Sequence, residues 1–103
     1  MTPELHPEAQ EEFHAAIDWY DEREFGLGQR FEVSVFDAVD AVVDWPESWP
    51  IWPGWTDEPV VRTKDVHDFP YRVVYFALKD TLFIAAVAHD RRRPGYWRDR
   101  LSG

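Results

Sequence analysis

Apolar residues recur every three to four positions in two stretches of the N-terminal half, a spacing that predicts two amphipathic helices. The first stretch comprises Ala9, Phe13, Ala16, Ile17 and Tyr20. The second comprises Phe31, Val35, Ala38, Val39, Val42 and Trp45. Pro7 suits the start of the first helix, where the missing N–H has no helical partner to lose, and Gly26 fits the C-cap at its end. The short link predicts an antiparallel helical hairpin that ends at Trp45-Pro46.

Three strand patterns follow in the C-terminal half, and a short edge strand is expected at residues 2–6. Residues 60–66 alternate between apolar and polar, with Arg62 and Lys64 on one face. Residues 71–78 (YRVVYFAL) and 81–88 (TLFIAAVA) are apolar on both faces, the pattern of strands buried on both sides. They are joined by a tight turn at Lys79-Asp80. One helical hairpin covers one face of a sheet, so the C-terminal segment or another chain must close the other face.

Between helices and strands lies a proline-punctuated loop, WPESWPIWPGWTDEP (45–59), which contains four tryptophans. We interpret it as a hydrophobic lid packed on the domain, because buried indoles provide large packing surfaces. The alternative is an exposed aromatic surface for a partner protein. The loop is too short and too apolar for a flexible linker.

Charge is distributed very unevenly along the chain. Residues 1–60 hold fifteen acidic side chains and two basic ones, a net charge of −13. Residues 61–103 hold five acidic and nine basic side chains, a net charge of +4. The overall charge of −9 argues against a general nucleic-acid binder. Any contact with phosphate is therefore expected in the second half.

The composition narrows the class of protein. The chain has no cysteine, which excludes disulfides, thiolate metal sites and cysteine nucleophiles. His6, His14 and His67 show no ligand spacing, so we predict no metal and no cofactor. The N-terminus lacks the pattern of a signal peptide, and no apolar run approaches the roughly 18 residues of a membrane span. We therefore expect a cytoplasmic protein with no membrane association.

Four stretches carry a family pattern that extends over nearly the whole chain. They are HPEAQEEFHAAIDWY (6–20), GLGQRFEVSVFDAV (26–39), DFPYRVVYF (68–76) and FIAAVAHDRRRPGYWRDR (83–100). Together they resemble the RelE/ParE toxin superfamily of type II toxin–antitoxin systems. The resemblance implies an α+β fold: a small, mainly antiparallel sheet of three or four strands with an N-terminal helical hairpin on one face, in the order β-α-α-β-β-β. It also implies that residues 1–103 form one toxin domain, neutralised by a bound antitoxin.

Two activities occur in this superfamily. RelE-like members cut messenger RNA on the ribosome without a metal, whereas ParE-like members inhibit DNA gyrase by binding it. Metal-free RNA cleavage requires a proton acceptor for the 2′-OH, cations for the phosphorane and an acid for the leaving oxygen. The catalytic candidates that the resemblance implies are Arg72, His89, Arg92 and Tyr96. The residues expected to bind RNA or the antitoxin are Arg62, Lys64, Arg91 and Arg93.

Each candidate also has a purely structural interpretation. His89 either exchanges protons, since histidine titrates near neutrality, or closes the last strand through a hydrogen bond. Arg72 either binds substrate or pairs with an acidic helix residue. Tyr96 and Trp97 either act at the site or pack the tail onto the sheet. The three arginines at 91–93 either clamp phosphate or form a solvated turn.

Three functions therefore stay open. The first is a metal-independent endoribonuclease acting on translated messages, although a net charge of −9 disfavours docking on ribosomal RNA. The second is a gyrase inhibitor without catalysis, and the third is an inactive family member. In each case we expect an antitoxin whose acidic segment contacts the basic residues Arg62, Lys64, Arg72 and 91–93.

Overall fold

The computed structural model describes residues 2–102. In chain order, its elements are β1 (Pro3–Leu5), α1 (Pro7–Arg23), α2 (Leu27–Asp44), β2 (Val61–Asp65), β3 (Tyr71–Leu78), β4 (Thr81–His89) and a short 3-10 helix (Arg98–Arg100). The strands form one four-stranded sheet in the order β1-β4-β3-β2. The edge strand β1 runs parallel to β4, while the β2–β3 and β3–β4 pairs are antiparallel. The α+β fold and the order β-α-α-β-β-β are confirmed.

The helical hairpin forms as predicted except at its turn. The Nδ1 atom of His6 accepts the N–H of Glu8 at 3.1 Å and caps α1. The chain leaves α1 in an extended conformation at Glu24. Gly26 is therefore not the C-cap of α1; with φ 85° it is instead the N-cap of α2. The positive φ is required at the entry to the second helix rather than at the exit from the first.

The helices cross closely because Gly28 has no side chain. A Cβ atom there would collide with the carbonyl oxygen of Ile17 and the carboxylate of Asp21. That carboxylate instead accepts the N–H of Gly28 at 2.8 Å. The hairpin is thereby held at its turn by a hydrogen bond that only a close approach allows.

One face of the sheet packs on the helical hairpin. This core contains the buried helix residues Ala9, Phe13, Ala16, Phe31, Val35, Ala38 and Val42. The sheet contributes Val73, Tyr75, Leu82, Ile84 and Val87. The aromatic rings of Phe31 and Tyr71 meet edge to face at 4.9 Å between centroids, a geometry that adds to the energy of burial. The predicted helical stripes therefore form this core.

The other face of the sheet is covered by the chain itself. Trp97 is completely buried there against Val74, Phe76 and Ala88. The ring of Trp52 lies 5.1 Å from that of Trp97, centroid to centroid. Of the two alternatives, the C-terminal segment thus closes this face together with the tryptophan loop. The apolar face of β3 and β4 is accordingly no argument for a partner, since over residues 2–102 it already has a cover.

Most of the tryptophan loop is the predicted lid. The indole N–H of Trp49 donates to the carbonyl of Ala41 at 3.0 Å, and Trp55 donates to the carbonyl of Pro59 at 2.9 Å. Both rings are largely covered, as is Trp52. Trp45 differs, because 66% of it is exposed. Buried indoles thus keep their polar atom satisfied while their rings pack on the two faces of the sheet.

Candidate binding site

The tail that follows β4 turns back over the end of the sheet. Pro94 and Gly95 occupy the central positions of a turn in which the N–H of Tyr96 donates to the carbonyl of Arg93 at 3.2 Å. Gly95 has φ 80°, as the third position of a type II turn requires. This turn explains the RRRPGYW motif, because it packs the aromatic residues on the sheet and leaves the three arginines at the surface.

The four predicted catalytic residues come together at one pocket. Arg72, His89, Arg92 and Tyr96 all line a cavity of about 230 Å³ at the C-terminal end of β4. Other lining residues are Trp52, Ala88, Asp90, Arg93, Pro94 and Trp97. We call this cavity the basic pocket. Its three guanidinium groups and single carboxylate concentrate positive charge in a chain whose net charge is −9.

A larger apolar groove adjoins the basic pocket. Its volume is about 620 Å³, and it runs between α1 and the ends of β3 and β4. The lining residues are Glu12, Ala15, Ala16, Trp19, Tyr20, Pro70, Tyr71, Val87, His89, Arg92 and Tyr96. We call it the α1 groove. His89, Arg92 and Tyr96 border both cavities, so a ligand in the groove would meet positive charge at one end.

Arg72 is already paired within the chain. Its Nε atom lies 3.3 Å from a carboxylate oxygen of Asp90, and its Nη2 atom lies 3.9 Å from Asp65. The predicted ion pair therefore exists, but with loop and strand carboxylates instead of a helix residue. The guanidinium also lies 5.7 Å from the ring centre of Trp52. Arg72 thus joins the pocket to the tryptophan lid.

His89 ends the last strand and holds the turn that follows. Its Nδ1 atom accepts the backbone N–H of Arg91 at 3.0 Å. The ring also meets that of Tyr71 edge to face at 5.0 Å. The structural interpretation of His89 is thus present in the fold, while the side chain still borders both cavities.

Tyr96 is fixed by a carboxylate that the sequence did not single out. The Tyr96 hydroxyl donates to Oε2 of Glu12, on α1, at 2.7 Å. Burial, and then the hydrogen bond to Glu12 and its negative charge, raise the pKa of Tyr96 well above the ordinary tyrosine value. At neutral pH the phenol is therefore protonated and committed to Glu12. It cannot act as a base in this arrangement.

Arg100 completes the same network from the last turn of the chain. Its Nη1 atom donates to Oε1 of Glu12 and to the carbonyl of Ala85, both at 3.1 Å. Its Nε atom lies 2.9 Å from a carboxylate oxygen of Glu8. The Arg100 side chain is only 8% exposed, and that of Glu12 is 15% exposed. A charge removed this far from water needs such a partner.

The network also satisfies the open edge of β4. The short strand β1 pairs with Leu82, Phe83 and Ile84 only as far as its own three residues reach. Beyond them, the N–H of Val87 donates to Glu12 at 3.2 Å and the carbonyl of Ala85 accepts from Arg100. Ala85 is the extra residue of a β-bulge opposite Val74/Tyr75. Two charged side chains thus replace a missing strand.

Arg62 and Lys64 do not join the basic pocket. In the register they lie opposite Tyr75 and Val73, on the face that packs against the helices. Arg72 lies opposite Asp65, one residue out of phase, and so points to the other face. Arg62 donates to the carbonyl of Trp49 at 2.8 Å, and Lys64 lies 4.7 Å from the centre of that indole ring.

The three consecutive arginines of the tail lie at the surface, and two of them, Arg92 and Arg93, border the basic pocket. Arg91, Arg92 and Arg93 are exposed in the turn after β4. The guanidinium carbon of Arg92 lies 3.9 Å from the centre of the Tyr96 ring, a cation–π contact. Arg92 is therefore supported by Tyr96, which in turn is held by Glu12.

Among residues 2–102 no group of three or more His, Asp or Glu side chains is arranged to hold a metal ion. Within that part of the chain, no helix is long and apolar enough to cross a membrane.

The fold is similar to that of a solved structure. It is titled "Chromosomal ParDE TA system from P. aeruginosa". The match has a TM-score of 0.72 and 14% sequence identity, and it covers 86% of this chain and 95% of that chain. No family model matches the sequence, and no curated protein matches it significantly. At this identity the likeness shows a shared fold.

Sequence reasoning missed Glu12 and Arg100, although one signal was present. Glu12 lies within the apolar stripe that contains Ala9, Phe13 and Ala16, at a position where an unpaired carboxylate would be costly. Its partners lie 84 and 88 positions away along the chain. A charged residue inside an apolar stripe predicts some buried partner, but the sequence alone does not say which one.

Proposed function

We propose that this chain is the toxin component of a type II toxin–antitoxin system, acting in the cytoplasm as one domain over residues 1–103. We further propose that it arrests growth by binding its target and not by cutting RNA. The fold likeness to a chain of a ParDE toxin–antitoxin structure supports the first part. The second part rests on one observation: two of the four groups that cleavage would use, the Tyr96 hydroxyl and the Arg72 guanidinium, are engaged inside the chain.

The engaged groups are those that metal-free cleavage requires to be available. The Tyr96 hydroxyl is held by Glu12 at 2.7 Å, and its raised pKa keeps the phenol protonated and makes it a weaker proton donor near neutrality. The positive charge of Arg72 is offset by Asp90 and Asp65. A transition-state phosphorane needs cations that are not already neutralised. The arrangement favours binding over catalysis. The corresponding target is DNA gyrase, which a ParE-like toxin inhibits by binding it.

An endoribonuclease is the second candidate, supported by a different observation. Arg72, His89, Arg92 and Tyr96 were predicted from the resemblance, and all four line the same cavity. This convergence is what a RelE-like site on the ribosome would require. If this candidate is right, the Tyr96–Glu12 bond must break when RNA binds.

The antitoxin is proposed to occupy the α1 groove. The groove offers apolar walls for one or two large side chains, and Arg92 with His89 at its end suits carboxylates. An acidic amphipathic segment therefore fits it. Charge reversal at Arg91, Arg92 and Arg93 should weaken antitoxin binding, whereas reversal at Arg62 and Lys64 should have less effect. Unchanged affinity after reversal at Arg91, Arg92 and Arg93 would place the interface away from the arginine end of the α1 groove.

The experiment that tests the function is induction of this chain alone in bacterial cells. Growth, message integrity and plasmid supercoiling are followed together, with and without a co-expressed antitoxin. We expect arrest with intact messages and altered supercoiling, and relief by the antitoxin. Arrest with cut messages would establish the endoribonuclease instead. Unimpaired growth at matched protein level would support the third possibility, an inactive family member.

A further inference from the structure

Tyr96, which borders both the basic pocket and the α1 groove, is held from the opposite end of the chain. Arg92 and Tyr96 belong to the tail, whereas the carboxylate that fixes Tyr96 comes from Glu12 in the first helix. We propose that Glu12 is a positioning residue: it holds Tyr96 in place, and Tyr96 in turn orients Arg92 toward the pocket and the α1 groove. The functional consequence rests on the proposed recognition role of Arg92.

The chain of contacts is short and continuous. Oε2 of Glu12 accepts the Tyr96 hydroxyl at 2.7 Å, and the Tyr96 ring lies 3.9 Å from the guanidinium carbon of Arg92. Arg92 itself is exposed, and its backbone N–H donates to the carbonyl of His89 at 3.0 Å. An exposed arginine without a support samples many rotamers and loses that freedom on binding. A ring fixed beneath it reduces this loss.

Glu12 is suited to this role because its position is itself fixed. Its other oxygen, Oε1, accepts from Val87 at 3.2 Å and from Arg100 at 3.1 Å. The carboxylate therefore cannot rotate away to follow Tyr96. Glu11, the next residue on α1, is exposed, carries the same charge and lies outside this network. It provides a matched control for any effect of charge alone.

The test uses the full chain as Glu12→Gln, Glu11→Gln, Arg92→Ala and Arg92→Ala with Glu12→Gln. Glutamine keeps the size of Glu12 and an acceptor for Val87, but it removes the charge that binds the Tyr96 hydroxyl strongly. The first readout is the Nε–Hε NMR signal of Arg92. We expect it to be distinct from free arginine in the parent and in Glu11→Gln, and to shift to the free-arginine position in Glu12→Gln.

The second readout is the amount of chain required for half-maximal growth arrest. We expect Glu12→Gln to raise it about tenfold, the effect of one lost charge-assisted hydrogen bond. Arg92→Ala should raise it similarly, and the double variant should be no worse than Arg92→Ala, because Glu12 acts through Arg92. The melting temperature should fall with Glu12→Gln in both backgrounds.

Each result has a definite meaning. An Arg92 signal that stays unchanged in Glu12→Gln, with only the melting temperature lowered, would overturn the positioning role. Additive losses of arrest in the double variant would also overturn it. If the parent chain causes no arrest at all, the proposed function fails, and the NMR readout still decides whether Glu12 orients Arg92.

Discussion

The two faces of the sheet are covered in different ways, although both are largely apolar. The helical hairpin covers one face with long regular elements, α1 and α2, whose charge is strongly acidic. The loop 45–60 and the tail 90–102 cover the other with irregular backbone, Trp97 and its neighbouring tryptophans. The irregular cover forms most of the walls of the basic pocket, whereas the regular cover contributes α1 to one wall of the α1 groove. The candidate binding residues of the basic pocket therefore lie mainly in the cover that also packs on the second face of the sheet.

The largest expected effect would come from removing the centre of the irregular cover. Trp97 is completely buried, so Trp97→Ala should destabilise the chain by about 3–5 kcal/mol. Denaturant unfolding measures this directly. Trp45→Ala is the control from the same aromatic class, and at 66% exposure it should change stability by less than about 0.5 kcal/mol. A small loss for Trp97→Ala would mean that the tail does not cover this face in solution.

The next largest effect concerns the ion pair that joins the two covers, between Arg100 in the tail and Glu12 on α1. Arg100→Met keeps the length of the side chain but leaves Glu12 and the carbonyl of Ala85 without their partner. Breaking a buried ion pair on one side costs roughly 3 kcal/mol, which unfolding at neutral pH would detect. Pairing it with Glu12→Met should recover part of that loss. No recovery in the double variant would contradict the direct coupling of Glu12 and Arg100.

A smaller effect concerns Tyr96 and alkaline pH. Its pKa is raised in the folded state, so the protonated phenol stabilises the fold fully below the ordinary tyrosine pKa. Stability should therefore fall as the pH rises above about 10, where the unfolded chain ionises first. Tyr96→Phe should cost about 1 kcal/mol at neutral pH and reduce this alkaline loss. Tyr75, whose pKa burial raises to about 12, should account for part of the loss that remains.

The smallest effect on stability is expected at the exposed arginines. Arg91→Glu should change the free energy of unfolding by less than about 0.5 kcal/mol, because Arg91 lies in solvent. Its effect on antitoxin affinity should be larger, at about tenfold or more. Titration of the purified chain with antitoxin measures this, with Asp40→Lys on α2 as a charge-reversal control. Loss of affinity in the control alone would place the interface on α2 instead of the α1 groove.

The same contrast explains what the sequence could predict. The elements α1, α2, β3 and β4 follow local periodicity, and the Lys79-Asp80 turn was placed correctly, with positive φ at both residues. The faces of Arg62 and Arg72 could not be predicted, because they depend on strand register between distant segments. The cover formed by Trp97 and the tail has no periodic signal.

The residues of the candidate site were also only partly predictable from the sequence. The tail motif suggested Arg92 and Tyr96 as site residues, and together with His89 they line one cavity. Glu12 is one of fifteen acidic residues in the N-terminal half, and the sequence did not distinguish it from the others. Only the fold brings it within 2.7 Å of Tyr96. Ion pairs across 88 positions are consequences of topology and leave little trace in local sequence.

The proposal that the basic pocket binds without cutting is tested most directly at His89. Glutamine at this position keeps an acceptor for the N–H of Arg91 but cannot exchange a proton near neutral pH. Growth arrest by His89→Gln is measured against the parent at matched protein level. The binding account predicts that arrest is retained within about threefold, whereas loss of a general acid or base costs about a hundredfold or more. Complete loss of arrest in a variant with unchanged melting temperature would contradict the account.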